Sequence, residues 1–295
     1  MPSAADPLDS IRALPIWRGR IEIAPLGGGL SNRNYLVADG ERRCVVRVGD
    51  DVPVHGVRRS NEHAASRAAA AAGIAPAVIH TAPGLLVVAF IEGRTYRPED
   101  VRANRDRCVA LVRRLHRELP DHIRHPYPAF DAVQAIRAYG SHLAAMRSAY
   151  APALPRLLAI AAGLEAAAGR LDPVPAHNDL LAANIIDDGK RLWLIDWEYA
   201  GFNTPLFDLG GLATNNGFAP AEEEAMLEAY FEQPVSDGLR RRFHAVKCVS
   251  LLREAMWSMV SELHSALEFD YAAYTAENLR RFEAAWAGFA EMAGS

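Results

Sequence analysis

The sequence predicts an α+β protein of two lobes: a small N-terminal lobe with an antiparallel sheet and one main helix, and a larger, mainly helical C-terminal lobe. Short β-prone runs separated by turns with glycine fill residues 1–92, as expected for a sheet. After Pro98, apolar residues recur at helical spacing. A chain of 295 residues with 50% apolar and 23% charged residues is long enough to fill two cores. We therefore predict lobes at residues 1–92 and 93–295.

The N-terminal lobe is predicted to begin with a short helix, which Pro15 limits, and to continue with five strands and an alanine-rich helix. Alternation of apolar and polar side chains indicates the first strands, whereas the continuous apolar run at 85–91 indicates a buried one. Glu92 and Gly93 interrupt this run and predict the hinge between the lobes. The helices are predicted at 9–14 and 61–73, and the strands at 21–23, within 26–37, and at 44–48, 76–79 and 85–91.

The C-terminal lobe is predicted to hold helices before and after a short β-hairpin. Apolar residues at helical spacing assign these helices and their buried faces. The helices are predicted at 101–119, 132–146, 154–169, from 207 onward, 220–231, 236–260 and 272–293. Clusters of like charge are assigned to solvated helix faces, namely the arginines at 58–59, 113–114 and 240–242 and the acidic run at 222–224.

Within residues 177–199, acidic and amide side chains occur in an order that suits phosphoryl transfer. An attacking hydroxyl needs a carboxylate to orient it and accept its proton, and Mg²⁺ needs hard oxygen ligands. Asp179 precedes Asn184 by five residues, and Asp196 follows a β-prone run that begins after an Asp-Gly turn. Each of these residues alone is typical of a cap or turn. Their combination predicts a hairpin with Asp179 as catalytic base and Asn184 and Asp196 as Mg²⁺ ligands.

Residues 177–208 resemble the choline/ethanolamine kinase branch of the aminoglycoside phosphotransferase-like kinases. The resemblance rests on the stretch His177–Ile186 and on the segment that runs from Asp196-Trp197-Glu198-Tyr199 to Phe207-Asp208. It implies a protein-kinase-like fold and the transfer of phosphate from MgATP to the hydroxyl of a small amino alcohol. It also implies the same roles for Asp179, Asn184 and Asp196 that the chemistry suggests. His177 and Asp208 are predicted to brace the loop through hydrogen bonds to its backbone.

A glycine-rich segment lies between the first two predicted strands. Gly27, Gly28 and Gly29 are followed closely by Ser31 and Asn32. On their own, three glycines between strands are typical of a hairpin. In the resembling family this segment is the nucleotide loop, where glycines let backbone N–H groups approach phosphate oxygens. Ser31 and Asn32 would add further donors, so all five residues are predicted to bind ATP.

The rest of the predicted ATP site lies on the third strand, the following helix and the strand before the hinge. Arg47 stands where a protein kinase carries its β3 lysine, and Glu62 is placed to pair with it. The alternatives are a solvated strand arginine and a helix N-terminal acid favoured by the helix dipole. Ala89, Phe90 and Ile91 are predicted to contact adenine, an assignment that depends on the resemblance because such a run is also typical of any central strand.

The predicted substrate pocket combines the catalytic loop with a late helix. A quaternary ammonium cannot donate hydrogen bonds, so it is held by aromatic faces and a nearby carboxylate. Tyr199 and Trp257 match aromatic positions of the family's pocket, whereas Glu254 replaces a second tryptophan found in animal enzymes. The predicted substrate-binding residues are Asp179, Glu198, Tyr199, Glu254 and Trp257. Choline is the predicted substrate; ethanolamine, an aminoglycoside or another amino metabolite are alternatives, and a pseudokinase is the non-enzymatic one.

Composition limits the remaining possibilities. A net charge of −4 gives no reason to expect nucleic acid as a partner. Three cysteines that are distant in sequence argue against a disulfide framework or zinc site and fit a reducing cytoplasm. The apolar runs considered, such as 157–164, are too short to span a membrane, and the N-terminus lacks signal-peptide character. We expect a cytoplasmic protein that binds an amino alcohol and MgATP; the sequence predicts no oligomeric state.

Overall fold

The computed structural model describes residues 6–27, 32–124, 126–169, 172–265 and 269–294. Its N-terminal part is a five-stranded antiparallel sheet, with strand order β1-β2-β3-β5-β4 and a helix beside it. The predicted sheet is therefore confirmed. The elements are α1 (Pro7–Arg12), β1 (Glu22–Leu26), β2 (Arg33–Asp39), β3 (Arg42–Val48), α2 (Arg59–Ala71), β4 (Val78–Ala82) and β5 (Leu85–Ala89).

The N-terminal sheet has its own apolar core. Alternate residues of β2 and β3, including Val37, Cys44 and Val46, are fully buried, as a strand with one solvated face requires. Ile11 of α1 and Val87 of β5 complete this core. The alternating pattern thus places Arg47, which follows Val46, on the opposite face of the sheet from this core.

The C-terminal part is mainly helical. The long helix α9 packs against four others, α5, α6, α7 and α10, and most of its second half is buried. The elements are β6 (Arg94–Thr95), α3 (Pro98–Ala103), α4 (Arg105–Glu118), α5 (Ala132–Ala145), α6 (Leu154–Ala168), β7 (Val174–Ala176), β8 (Ile185–Asp187), β9 (Leu192–Leu194), β10 (Gly201–Asn203), α7 (Pro205–Asn215), α8 (Pro220–Phe231), α9 (Asp237–His264) and α10 (Tyr271–Gly294).

One of the predicted helices is divided into two separate helices in the structure. The segment predicted as a single helix at 101–119 consists of α3 and α4, which meet at Asn104. The Asn104 backbone has φ −114° and ψ 29°, outside the helical region, and its side-chain amide donates to the Asp100 carbonyl at 2.9 Å. Asparagine competes in this way for backbone hydrogen bonds and favours helix ends.

The predicted β-hairpin is confirmed. Strands β8 and β9 pair antiparallel, with Ile185 opposite Leu194, and β6 joins them as a third strand. The chain crosses from β5 to β6 through Gly93. A Cβ atom at Gly93 would lie 2.7 Å from the Asp187 carbonyl oxygen, closer than a side chain tolerates. Only glycine therefore allows the interlobe crossing to run this close to the hairpin. The lobe boundary between residues 92 and 93 stays a prediction.

Two charged residues that were predicted to be solvated are buried. Arg59 is 5% exposed and Glu223 is 6% exposed. Glu223 accepts hydrogen bonds from Lys247 Nζ at 2.8 and 2.9 Å, and Arg59 lies in the interlobe cleft described below. Clusters of like charge were misleading here because two of the neutralising partners, Glu198 and Lys247, come from distant segments of the chain.

Helix α6 and the turn before it are apolar over a longer span than the runs considered in the sequence. The window Ala151–Ala168 is, among the described residues, long and apolar enough to cross a membrane by length and composition, with mean hydropathy 1.2 and 33% of it buried. A core helix passes the same test. Here α6 packs against α5 and α9, so length and apolarity alone do not identify a membrane span.

Candidate active site

Asp208 holds the loop that precedes the hairpin. Its two carboxylate oxygens accept the backbone N–H groups of His177 at 2.9 Å and Asn178 at 2.7 Å. His116 Nε2 lies 3.0 Å from the same carboxylate. Although burial alone would raise it, the pKa of Asp208 is lowered by His116 and by these N–H donors. The predicted bracing role of Asp208 is therefore present in the structure.

The loop is further fixed by His177 and Asn178. The Nε2 atom of the fully buried His177 lies 2.9 Å from the Ile195 carbonyl oxygen, which makes it a structural donor as predicted. Asn178 has φ +66°, and Asp196 at the far end of the hairpin has φ +67°. Both conformations are uncommon outside glycine and concentrate at functional sites. The side-chain amide of Asn178 donates to the Tyr199 carbonyl at 3.0 Å and so stabilises the first of them.

Asp179 and Asn184 are in direct contact. The Asn184 amide nitrogen donates to the Asp179 carbonyl oxygen at 2.9 Å and lies 3.2 Å from Asp179 Oδ2. Burial raises the pKa of Asp179 well above 3.8, and the carboxylates of Glu254 and Asp196 raise it further, against the opposing charge of Arg253. A partly buried carboxylate with a raised pKa has the properties of a proton acceptor at a reacting hydroxyl.

A cluster of ion pairs joins the two lobes behind the hairpin. Arg47 pairs with Glu62, as predicted, and its Nη1 atom also donates to Asp196 Oδ1 at 2.6 Å. Arg59 Nη1 donates to Glu62 Oε2 at 2.7 Å and to Glu198 Oε2 at 2.9 Å. We call these five residues the interlobe ion cluster. Glu198, predicted to bind substrate, is thus directed towards Arg59.

Arg59 is a site residue that the sequence reasoning missed. Its backbone N–H also donates to Asp51 Oδ1 at 2.7 Å, which fixes the start of α2. The available signal was its position three residues before Glu62 on a predicted helix, since oppositely charged residues at this spacing face each other. That signal was outweighed by the adjacent Arg58, which is exposed and made the pair look solvated.

A cavity of about 440 Å³ lies between the lobes. Most of the predicted nucleotide and metal residues line it: Gly27, Arg47, Glu62, Ala89, Phe90, Ile91, Asn184 and Asp196. Gly28, Gly29 and Ser31 lie outside the described residues. Asn32 instead lines a separate cavity of about 360 Å³ beside Trp257.

Asn184 and Asp196 have the chemistry that Mg²⁺ requires. The nitrogen of the Asn184 amide is bound to Asp179, so the oxygen of that planar group points away from the base. Burial opposes ionisation of Asp196, but Arg47 outweighs it and lowers the pKa of Asp196. One amide oxygen and one ionised carboxylate, both lining the interlobe cavity, are hard ligands that fit Mg²⁺ bound together with phosphate.

Of the predicted substrate residues, Tyr199, Glu254 and Trp257 are brought together through side-chain contacts, whereas Glu198 pairs with Arg59. Trp257 Nε1 donates to the Tyr199 hydroxyl at 2.9 Å, and Glu254 accepts a hydrogen bond from the Tyr274 hydroxyl at 2.9 Å. Among them lies Arg253, which sequence reasoning missed although it directly precedes Glu254. Its guanidinium carbon is 4.4 Å from the centroid of the Tyr199 ring. The predicted aromatic pocket therefore surrounds a cation of the protein itself.

A model of the phosphotransferase enzyme family matches residues 22–244 of the chain. The match includes the whole five-stranded sheet, the hairpin and the beginning of α9. It covers both sides of the interlobe cavity.

Individual relatives agree with this match. The chain is 26% identical to protein LicA of Haemophilus influenzae over 273 residues, which covers 88% of this chain and 77% of LicA. The crystal structure of a choline/ethanolamine kinase family protein from Mesorhizobium loti is similar with 28% identity, a TM-score of 0.76 and coverage of 94% of each chain. A structure of LicA in complex with AMP shares the fold, with 21% identity, a TM-score of 0.75 and coverage of 95% of this chain and 96% of that one. The predicted kinase-like fold and the resemblance to choline/ethanolamine kinases are confirmed.

Proposed function

The chain belongs to the phosphotransferase enzyme family, and we propose that it transfers the γ-phosphoryl group of MgATP to the hydroxyl of a small amino alcohol. The observation that carries this proposal is the contact between Asp179 and Asn184. Asn184 lines the interlobe cavity, whereas Asp179 lines a small cavity together with Arg253 and Glu254. A candidate proton acceptor and a candidate metal ligand thus stand side by side, each lining one of the two cavities.

The interlobe cavity suits a nucleotide. The apolar side chains of Ala89, Phe90 and Ile91 line one part of it and would contact adenine. Arg47 and the oxygen ligands Asn184 and Asp196 line another part, where the triphosphate would lie. Bound between Asn184 and Asp196, Mg²⁺ would neutralise charge on the phosphates. Glu62 forms an ion pair with Arg47, so the Arg47 guanidinium is already oriented before nucleotide binds.

Asp179 serves the acceptor in this scheme. Its carboxylate accepts a hydrogen bond from the substrate hydroxyl and orients the oxygen towards the γ-phosphorus. As the new oxygen–phosphorus bond forms, the bond from the γ-phosphorus to the oxygen of ADP breaks, and the hydroxyl proton passes to Asp179. The hydrogen bond from Asn184 keeps the base at the boundary between nucleotide and acceptor.

The structure does not favour an aminoglycoside as acceptor. Several ammonium groups would require a wide acidic cleft, and the acidic run on α8 does not supply one. Each of its members is already bound: Glu222 to the Ala219 N–H, Glu223 to Lys247 and Glu224 to Arg240. These carboxylates stabilise α8 and its contact with α9.

The proposal is tested by incubating the full chain with MgATP and a panel of acceptors, and by following both ADP release and formation of the phosphorylated acceptor. Choline, ethanolamine and related amino alcohols form one arm, and aminoglycosides form the other. We expect ADP release that depends on an amino alcohol. Product formation only with aminoglycosides, or with no acceptor at all, would contradict the proposal.

The raised pKa of Asp179 predicts the pH dependence of the reaction. A base must be unprotonated to accept a proton, so activity is lost as pH falls through its pKa. Because burial, Glu254 and Asp196 raise that pKa above 3.8, we expect the acidic limb of kcat/KM for the acceptor at higher pH than for an ordinary aspartate.

Glu254→Gln provides the check on this assignment. It removes one of the negative charges that raise the pKa of Asp179, so the acidic limb should move to lower pH. A limb that stays in place, measured at fixed ionic strength, would show that another group controls it.

A further inference from the structure

Arg253 occupies the part of the site where a substrate cation was expected. Only 4% of the residue is exposed. Its guanidinium carbon lies 4.4 Å from the Tyr199 ring centroid and 5.6 Å from that of Phe130, within the range of cation–π attraction. Burial lowers the pKa of Arg253, but the neighbouring Tyr139, Tyr199, Glu254 and Asp179 outweigh burial and raise this pKa above the usual value for arginine. The pocket therefore contains a permanent positive charge.

The other groups predicted to bind an ammonium are also engaged. The ring of Trp257 packs against His55, with centroids 5.2 Å apart, and its N–H is bound to the Tyr199 hydroxyl. Glu254 accepts hydrogen bonds from Arg253 Nη1 at 3.1 Å and from Tyr274 at 2.9 Å. A quaternary ammonium would therefore meet a guanidinium of like charge where the family resemblance leads one to expect an open aromatic face.

Arg253 also carries unused donors. Within the described part of the chain, neither its Nε nor its Nη2 atom finds a hydrogen-bond acceptor, although both are buried. A buried donor without an acceptor destabilises the fold, because it has given up its hydrogen bonds to water and gained none in the protein. The two nitrogens form one edge of a planar guanidinium, and such an edge matches the two oxygens of a carboxylate. This geometry indicates an anionic oxygen ligand.

Arg253 lies beside the reacting position. Asp179, Arg253 and Glu254 line the same cavity, which measures about 10 Å³ and has room for one water-sized group. An oxygen bound to Arg253 there would belong to the same small molecule that presents its hydroxyl to Asp179. The side chain of Glu254 is 24% exposed, so its carboxylate can be reached from solvent. Each Glu254 oxygen already accepts one hydrogen bond but can accept a second, so this carboxylate can also bind a substrate ammonium.

We propose that the acceptor is an amino alcohol that also carries a carboxylate, a small hydroxy amino acid, and that Arg253 binds this carboxylate. The inference rests on the proposed function, since it names the substrate class of the same site. Asp179 receives the hydroxyl, Glu254 the ammonium and Arg253 the carboxylate. The transfer itself is unchanged: the γ-phosphoryl group passes from ATP to the hydroxyl oxygen, ADP leaves, and the hydroxyl proton passes to Asp179.

The test compares acceptors that differ only in the carboxylate. Ethanolamine is paired with L-serine, and 3-amino-1-propanol with L-homoserine, and kcat and KM are measured for each with the full chain and MgATP. We expect kcat/KM to favour the carboxylate-bearing member of at least one pair by about tenfold or more, mainly through a lower KM. Choline should be a poor acceptor.

Three variants assign the preference to Arg253. Arg253→Met should abolish the preference, with the kcat/KM values of the two members of each pair becoming equal, mainly because KM for the amino acid rises. Arg253→Lys keeps the charge but not the planar fork, and should retain only part of the preference. Arg113→Met removes a half-buried arginine that binds the Ala229 carbonyl and Glu232 where α4 meets α8, and should leave the preference unchanged.

Each outcome separates the inference from the function on which it rests. If the wild-type chain prefers choline or the simple amines, the inference is wrong while the proposed function stands. If no acceptor of either kind is phosphorylated, the proposed function itself fails. Thermal unfolding identifies a variant that does not fold, and the comparison of pairs in the wild-type chain then decides the question alone. A preference that survives in Arg253→Met would assign the carboxylate to another residue.

Discussion

Replacement of Asp179 by alanine is expected to lower kcat by about 10²- to 10⁴-fold, the usual contribution of a general base. The variant loses the proton acceptor, but the groups that line the nucleotide cavity remain. Asn184 loses only one of its two contacts with residue 179, because its hydrogen bond to the backbone carbonyl of that residue persists. The measurement is acceptor-dependent ADP release under saturating MgATP, together with the Kd for nucleotide, which should change little.

Asp121→Ala is the matched control for this substitution. Asp121 is an exposed aspartate in the turn after α4, and its removal should leave both kcat and nucleotide affinity unchanged. Full activity in the Asp179 variant would refute its assignment as the base. Loss of nucleotide binding along with activity would show instead that Asp179 supports the fold of the loop.

Replacement of Arg59 by methionine is expected to destabilise the protein by about 3–5 kcal/mol, the usual effect of removing one partner from a buried ion pair. The substitution leaves Glu62 and Glu198 without the guanidinium that both of them contact. Methionine fills part of the volume, so the loss arises from charge more than from packing. The free energy of unfolding, measured by urea denaturation, checks the prediction.

The neighbouring arginine provides the control for this prediction. Arg58 directly precedes Arg59 but is exposed, so Arg58→Met should alter stability by only a few tenths of a kcal/mol, as most surface substitutions do. Equal effects of the two substitutions would show that the interlobe ion cluster does not stabilise the fold. A double variant, Arg59→Met with Glu198→Gln, should recover part of the loss because one of the two carboxylates that contact Arg59 is then uncharged.

Local patterns in the sequence were sufficient for much of the fold and part of the site. Alternation predicted the first strands because one face of the N-terminal sheet is buried, and a continuous apolar run predicted the strand at 85–91. The hairpin was predicted from the order of Asp179, Asn184 and Asp196 together with the Asp-Gly turn between the last two. Such a turn determines which residues of the two strands face each other. Even Arg47 and Glu62 could be paired, since the kinase-like arrangement defines their positions on strand and helix.

The parts that could not be predicted depend on contacts between distant segments. Arg59 and Glu198 are 139 residues apart, and no local pattern indicates that they meet. The same holds for Arg253, whose burial depends on aromatic residues from the α5 entry and the hairpin exit, Phe130 and Tyr199. Adjacent charged residues in a sequence suggest a solvated surface, and only the tertiary structure shows which of these residues are buried.

The interlobe ion cluster has a consequence for how the enzyme responds to its surroundings. Its members contribute from both halves of the molecule, Arg47, Arg59 and Glu62 from one and Asp196 and Glu198 from the other, and their side chains are at most 16% exposed. Counter-ions weaken exposed charge pairs but hardly reach such sheltered ones. The width of the cleft should therefore be insensitive to ionic strength, and salt should affect the encounter with charged ligands rather than the shape of the site that receives them.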